Sequence, residues 1–152
     1  SGFQLPLWNP YEMAGKPHFA NFQSSAFYPL NLLLFIKPFH FSWSFFIILQ
    51  PIMGGIFLFL YLRNLKLDGK ASLLGAISFV FGGFSISWLE WGNMGHTALW
   101  FPLILLSIDK IVPSIKYQVL NIKNVWGLVF FIALISSFFA GHLQIFFYIE
   151  SV

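Results

Sequence analysis

Residues 41–62 read FSWSFFIILQPIMGGIFLFLYL, 22 positions without an Asp, Glu, Lys or Arg. As a helix rising about 1.5 Å per residue, the stretch covers roughly 33 Å, against a bilayer hydrocarbon core of about 30 Å. A helix buried in a soluble core would rarely stay so apolar for so long. Three further stretches share the property: Ala71–Leu89 with 19 residues, Trp91–Ile108 with 18 and Val125–Ile149 with 25. The expected fold is therefore an all-α integral membrane protein with about four transmembrane helices over 41–62, 71–89, 91–108 and 125–149.

Composition agrees. Of 152 residues, 58% are apolar and only 9% charged, and mean hydropathy is +0.78. A soluble domain of this size carries about a quarter charged residues. There are too few charges here to coat a water-facing surface, and no repeat or polar bias that would suggest disorder. The absence of cysteine excludes disulfides, thiolate metal sites and cysteine nucleophiles within this sequence. The net charge of +3 is spread thinly, so it argues for topology and not for nucleic acid.

Arg63, Lys66, Lys70, Lys110, Lys116 and Lys123 all lie in the connections after the first and third helices. Short basic loops resist translocation, which places that side in the cytoplasm. The first 40 residues, the Glu90 corner and the end of the fourth helix are then outside. Pro6, Pro10, Pro17, Pro29 and Pro38 forbid one continuous helix before residue 40, so 1–40 reads as an extracytoplasmic loop with short helical turns. The whole of 1–152 reads as one membrane-embedded domain. Ser1 is not an initiator methionine and Val152 follows an apolar run, so a piece of a longer polypeptide is expected.

Two packing features are expected inside the bundle. Ala71, Gly75, Ser78, Gly82 and Ser85 line small residues along one face of the second helix, which would let backbones approach closely in lipid. Pro51 and Pro102 are expected to mark kinks.

The unusual polar residues gather on the outer side: Asn9, Tyr11, Glu12, Lys16, Asn21 and Gln23 in the loop, Glu90, Asn93 and His96 at the corner, and His142 and Gln144 near the end of the fourth helix. Such groups at membrane depth are costly unless they line a cavity or pair. An outward polar pocket roofed by the first loop follows; the plainer alternative is contact with headgroups and water. On an unbroken helix His142 and Gln144 are about 200° apart. Either Gly141 breaks the helix, or one faces the pocket while the other, with Ala133, Ser137, Ala140 and Tyr148, forms a seam. His142 is the better pocket candidate. The histidines are too scattered to suggest a protein-only metal site, and Glu12 and Glu90 are the acids placed to act as a base or a cation ligand, although a solvated interface carboxylate is the commoner case.

The run Gly2-Phe3-Gln4-Leu5-Pro6-Leu7-Trp8-Asn9-Pro10-Tyr11, then Gly15-Lys16-Pro17, Asn21-Phe22-Gln23-Ser24 and Phe27-Tyr28-Pro29-Leu30-Asn31-Leu32-Leu33, resembles the YfhO family of bacterial membrane proteins, which belongs with the GT-C superfamily of integral-membrane glycosyltransferases. Trp100-Phe101-Pro102-Leu103 and Ala140-Gly141-His142-Leu143-Gln144 agree more loosely. The resemblance implies transfer of a sugar from a polyprenyl-phosphate carrier to a cell-envelope polymer or glycolipid, in the bacterial cytoplasmic membrane, by part of a larger GT-C-like bundle. It also implies that the main catalytic carboxylate precedes Ser1. In that chemistry Lys16, His96 and His142 would contact phosphate, with a divalent cation as an optional helper, while Asn9, Glu12, Asn21 and Gln23 would bind hydroxyls. Trp8, Tyr11 and Tyr28 would stack on a sugar ring or, as is commoner for such aromatics, anchor the loop at the interface. Membrane lipids are the remaining partners. The competing class is a polytopic transporter or lipid-handling protein without transferase activity.

Overall fold

The computed structural model describes residues 7–11, 14–18, 20–36, 38–116 and 120–151, with side chains throughout that set except at 113–116 and 120–124. Glu12, one of the two expected carboxylates, lies outside the described residues. The chain is a helical bundle preceded by a folded loop.

The loop opens with a small antiparallel hairpin, β1 (Trp8–Asn9) on β2 (Lys16–Pro17), pairing Trp8 with Pro17 and Asn9 with Lys16. Gly15 turns the chain back at φ +104°, where the Trp8 indole covers its α-carbon so closely that a Cβ would lie 2.6 Å from the ring. Two 3-10 turns follow, Phe22–Ser24 and Pro29–Phe35. Short turns punctuated by proline are what this composition forces.

The helices are α1 (Phe39–Asn64), α2 (Gly69–Val80), α3 (Gly83–Ser87), α4 (Met94–Ala98), α5 (Phe101–Lys116), α6 (Leu120–Phe139) and α7 (Leu143–Glu150), with a 3-10 turn at Leu89–Trp91 between α3 and α4. Among the described residues, three spans are long and apolar enough to cross a membrane: Phe39–Asn64, Gly69–Ser87 and Met94–Val112. The fourth expected helix departs from this pattern. Its apolar part stops at Phe139, Gly141 takes φ +98°, and α7 restarts at Leu143, so 125–149 is two helices.

Other breaks were equally invisible to hydropathy. The second span is interrupted at Phe81–Gly82, and the third is a short α4 joined to α5. Pro102 does not kink a helix; it sits in the first turn of α5, where a missing N–H costs nothing. Pro51 lies within an unbroken α1. Asp68 starts α2 by accepting from the Ala71 amide at 2.8 Å, and Asn93 accepts from Met94 at 2.8 Å at the start of α4.

The small-residue face of α2 is rotated from the expected one. Ser72 and Ala76 are buried, while Ala71 and Ser78 are exposed. Gly75 lies so near Leu62 of α1 that a Cβ would come within 2.6 Å, and Gly55 meets Val80. In lipid such close approach supplies the dispersion energy that hydrophobic burial supplies in water. Arg63 Nη1 closes the end of α1 by donating to the Leu67 carbonyl at 2.7 Å, and Asn64 donates to Asp109 at 3.3 Å, tying α1 to α5 at the basic end.

The core sits at the other end, where Tyr28, Phe46, Leu99, Trp100, Ile104, Ala133 and Ala140 pack together. It joins the loop to α1, α4, α5 and α6. The loop is therefore part of the bundle and not a detached tail.

Candidate functional site

The loop is pinned to the break between α6 and α7. Ser25, in the left-handed region at φ 52°, donates its hydroxyl to the Ala140 carbonyl at 2.7 Å. Its own carbonyl accepts from Asn31 Nδ2 at 2.6 Å, and the Phe22 ring meets Phe138 edge-on at 5.0 Å. Gly141 is required twice over. Its φ suits glycine, and a Cβ would strike Ser25 Oγ and come within 3.0 Å of the Phe22 carbonyl.

Beside this junction lies an open cavity of about 190 Å³ lined by Phe22, Gln23, Gly141, His142, Leu143 and Gln144. His142 caps α7, its Nδ1 accepting from the Ile145 amide at 3.3 Å. A capping Nδ1 must be unprotonated, which puts the ring proton of the neutral imidazole on Nε2. Gln144 Nε2 donates to the Tyr148 hydroxyl at 2.7 Å, leaving its carbonyl oxygen as the group free to accept from a guest. The break thus brings His142 and Gln144 to one cavity, where an unbroken helix would have set them on opposite faces. Gln144 leaves the seam, which Ala133, Ser137 and Ala140 form without it; Ser137 donates to the Thr97 carbonyl at 3.0 Å.

The other expected site residues lie elsewhere. Asn9 Oδ1 accepts from the Tyr11 amide at 3.0 Å, an Asx turn that leaves Tyr11 95% exposed, and Lys16 pairs with Asn9 across the hairpin. Asn21 precedes the first 3-10 turn, and its carbonyl accepts from Ser24 Oγ at 2.7 Å. Glu90 is exposed in the 3-10 turn before α4. Of the substrate-binding candidates, Gln23 and His142 share the cavity.

His96 is a core histidine. It is 0% exposed, stacked on Phe46 at 4.0 Å, with Nε2 3.1 Å from the Phe46 carbonyl and Nδ1 2.8 Å from the Tyr28 hydroxyl. Because a carbonyl only accepts, Nε2 donates and Nδ1 accepts from Tyr28; the Tyr28 oxygen then accepts from Trp100 Nε1 at 3.2 Å. One proton assignment satisfies all four groups, and it requires a neutral imidazole. Burial pushes the Tyr28 hydroxyl well above the ordinary tyrosine range, against the smaller lowering influence of the Trp100 N–H. The imidazole here braces the loop against α1 and α4.

Sequence reasoning passed over two groups. Tyr28 read as a sugar-stacking or interfacial aromatic, whereas its hydroxyl meets His96 and Trp100, about seventy residues away in the chain. Gln50 was masked by its apolar surroundings, although an amide in the middle of a span is itself a signal.

Among the described residues, no three His, Asp or Glu side chains converge to hold a metal ion, so the donor set does not fit a divalent cation by itself. The cavity offers an imidazole N–H, two amides and no carboxylate. Such a set binds hydroxyls or phosphate oxygens and does not by itself remove a proton. In comparison with known proteins, no family model matches the chain, no curated protein matches it and no solved structure matches it.

Proposed function

We propose that the protein is a membrane glycosyltransferase of the GT-C kind, carrying a sugar from a polyprenyl-phosphate donor to a cell-envelope polymer or glycolipid on the outer side of a bacterial cytoplasmic membrane. The observation that carries this reading is the meeting of two stretches more than a hundred residues apart, Asn21-Phe22-Gln23-Ser24 and Ala140-Gly141-His142-Leu143-Gln144, around one polar cavity. Both belong to the resemblance with the YfhO family. In the reaction an acceptor hydroxyl oxygen bonds to the anomeric carbon and the bond from that carbon to phosphate oxygen breaks. The phosphate leaves with the electron pair, and the hydroxyl proton passes to a base. Within this reading His142 Nε2–H and the Gln23 amide hold phosphate or sugar oxygens. The base comes from outside the lining, with Glu12 and Glu90 as the chain's candidates. No step is routed through a metal.

The test is transfer of label from a radioactive polyprenyl-phosphate sugar to envelope material by membranes expressing the protein, with loss on replacing His142. Absence of turnover with every donor tried, alongside flux of a solute or lipid through reconstituted vesicles, would replace this reading with the transport or lipid-handling one.

A further inference from the structure

A second cavity, of about 110 Å³, lies inside the bundle between α1, the α2–α3 break and α4, separate from the polar one. Gln50, Gly54, Phe79, Phe84, Gly95 and Leu99 contribute to its walls. The lining is apolar apart from two side chains. Ser85 is one, and its hydroxyl donates to the Phe79 carbonyl at 2.8 Å. Gln50 is the other, 4% exposed on α1. Its Nε2 donates to the Leu89 carbonyl at 3.2 Å, while Oε1 is buried without a partner. The amide cannot be reversed, since that would set two oxygens against each other.

Gly95 matters to this acceptor. A side chain there would collide with Gln50 Oε1, so it is the glycine that lets the orphan oxygen take its place in the cavity wall. A buried acceptor left unmade costs about 1–3 kcal/mol in general, and ordered water is a poor remedy here because it wants two to four polar partners. An apolar guest with a single donor satisfies both the oxygen and the walls. Depth and access favour a lipid. Gln50 lies seven residues, about 10 Å, along α1 from Trp43, and Trp43 packs at the level of the corner glycine Gly92, close to Trp88 and Trp91 in sequence. Exposed indoles mark a membrane interface, and Trp43, Trp88 and Trp91 are all exposed. Phe81, Phe84 and Ile86, exposed on the cavity's outer side, open it toward acyl chains.

We infer that this cavity binds an uncharged amphiphile that enters sideways from the bilayer and donates its head hydroxyl to Gln50 Oε1. No cation lines the cavity to receive an anionic headgroup, and one neutral acceptor could not replace the hydration of an ammonium. The site does not depend on sugar transfer.

The experiment uses the intact protein in lipid nanodiscs and hexadecanol bearing a diazirine close to its hydroxyl, with the methyl ether of the same molecule as the donorless control. Cross-links should map to Gln50–Gly54 and to residues 79–86, and the alcohol should label roughly five- to tenfold more than the ether, as one hydrogen bond warrants. Gln50→Leu should erase that preference, and Gly95→Ala should reduce labelling by both. The alcohol–ether comparison on the unaltered protein needs no variant to fold. Equal labelling by the two, which would mean that water or neighbouring polypeptide fills the space, overturns the inference. An alcohol preference that survives Gln50→Leu overturns it as well.

Discussion

Ser25 Oγ and the carbonyl of Ala140 are 2.7 Å apart although 115 residues separate them in the chain. The bond fastens the proline-rich loop to the point where α6 gives way to α7. Everything polar in the candidate site depends on that fastening, because Gln23 comes from one side of it and His142 from the other.

Gly141→Ala should be strongly destabilising. It asks alanine to hold φ +98° and pushes a methyl group into Ser25 and Phe22. The expected loss is about 2–4 kcal/mol, by strain and by displacement of the loop. Ser25→Ala should cost about 1 kcal/mol. Thermal unfolding in detergent measures both, and the double variant should lose less than the sum, since each breaks the same contact.

Tyr28→Phe removes the donor to His96 Nδ1 and the acceptor for Trp100 Nε1 at once. A loss of about 2–3 kcal/mol is expected, because two buried partners are left open.

The same residue sets a pH dependence. Burial raises the Tyr28 hydroxyl's pKa, so the folded state holds its proton where the unfolded chain, with tyrosine near 10, releases it. Stability is therefore fully present below about pH 10 and declines as pH rises beyond that. Denaturation followed between pH 9 and 11 should fall more steeply for the natural protein than for Tyr28→Phe; parallel curves would refute the buried network.

Under the proposed function His142 has two separable jobs, capping α7 and presenting an N–H to substrate. Asparagine retains a capping acceptor but has no imidazole N–H at the cavity, whereas alanine has neither. His142→Ala should lose about 1 kcal/mol of stability and His142→Asn much less. Under the proposed function both should lower sugar transfer by about tenfold or more. Activity that tracks stability across the two variants would assign His142 a capping role alone.

Sidedness can be read with thiol chemistry, since the chain has no cysteine of its own. A cysteine at Glu90 should react with an impermeant maleimide added to intact cells, and one at Leu67 only after lysis. The opposite pattern would turn the bundle over and put the polar cavity in the cytoplasm.

Membrane insertion, three of the four expected spans and the proline-broken loop were legible in residue order, because transfer to hydrocarbon depends on composition over about twenty residues and on little else. The helix break at Phe81–Gly82 was not, and the one at Gly141 stood as one of two alternatives, because an apolar run looks the same whether its backbone is straight or bent. Histidine at 96 and histidine at 142 read alike as polar residues near the outer end of a span. Only packing separated them, enclosing the first between Phe46 and Tyr28 and leaving the second at a cavity wall. The sequence by itself determined what the chain dissolves in. Tertiary structure alone decided which polar atoms are paired and which are left to meet a ligand, since burial and hydrogen-bond geometry are properties of neighbours distant along the chain.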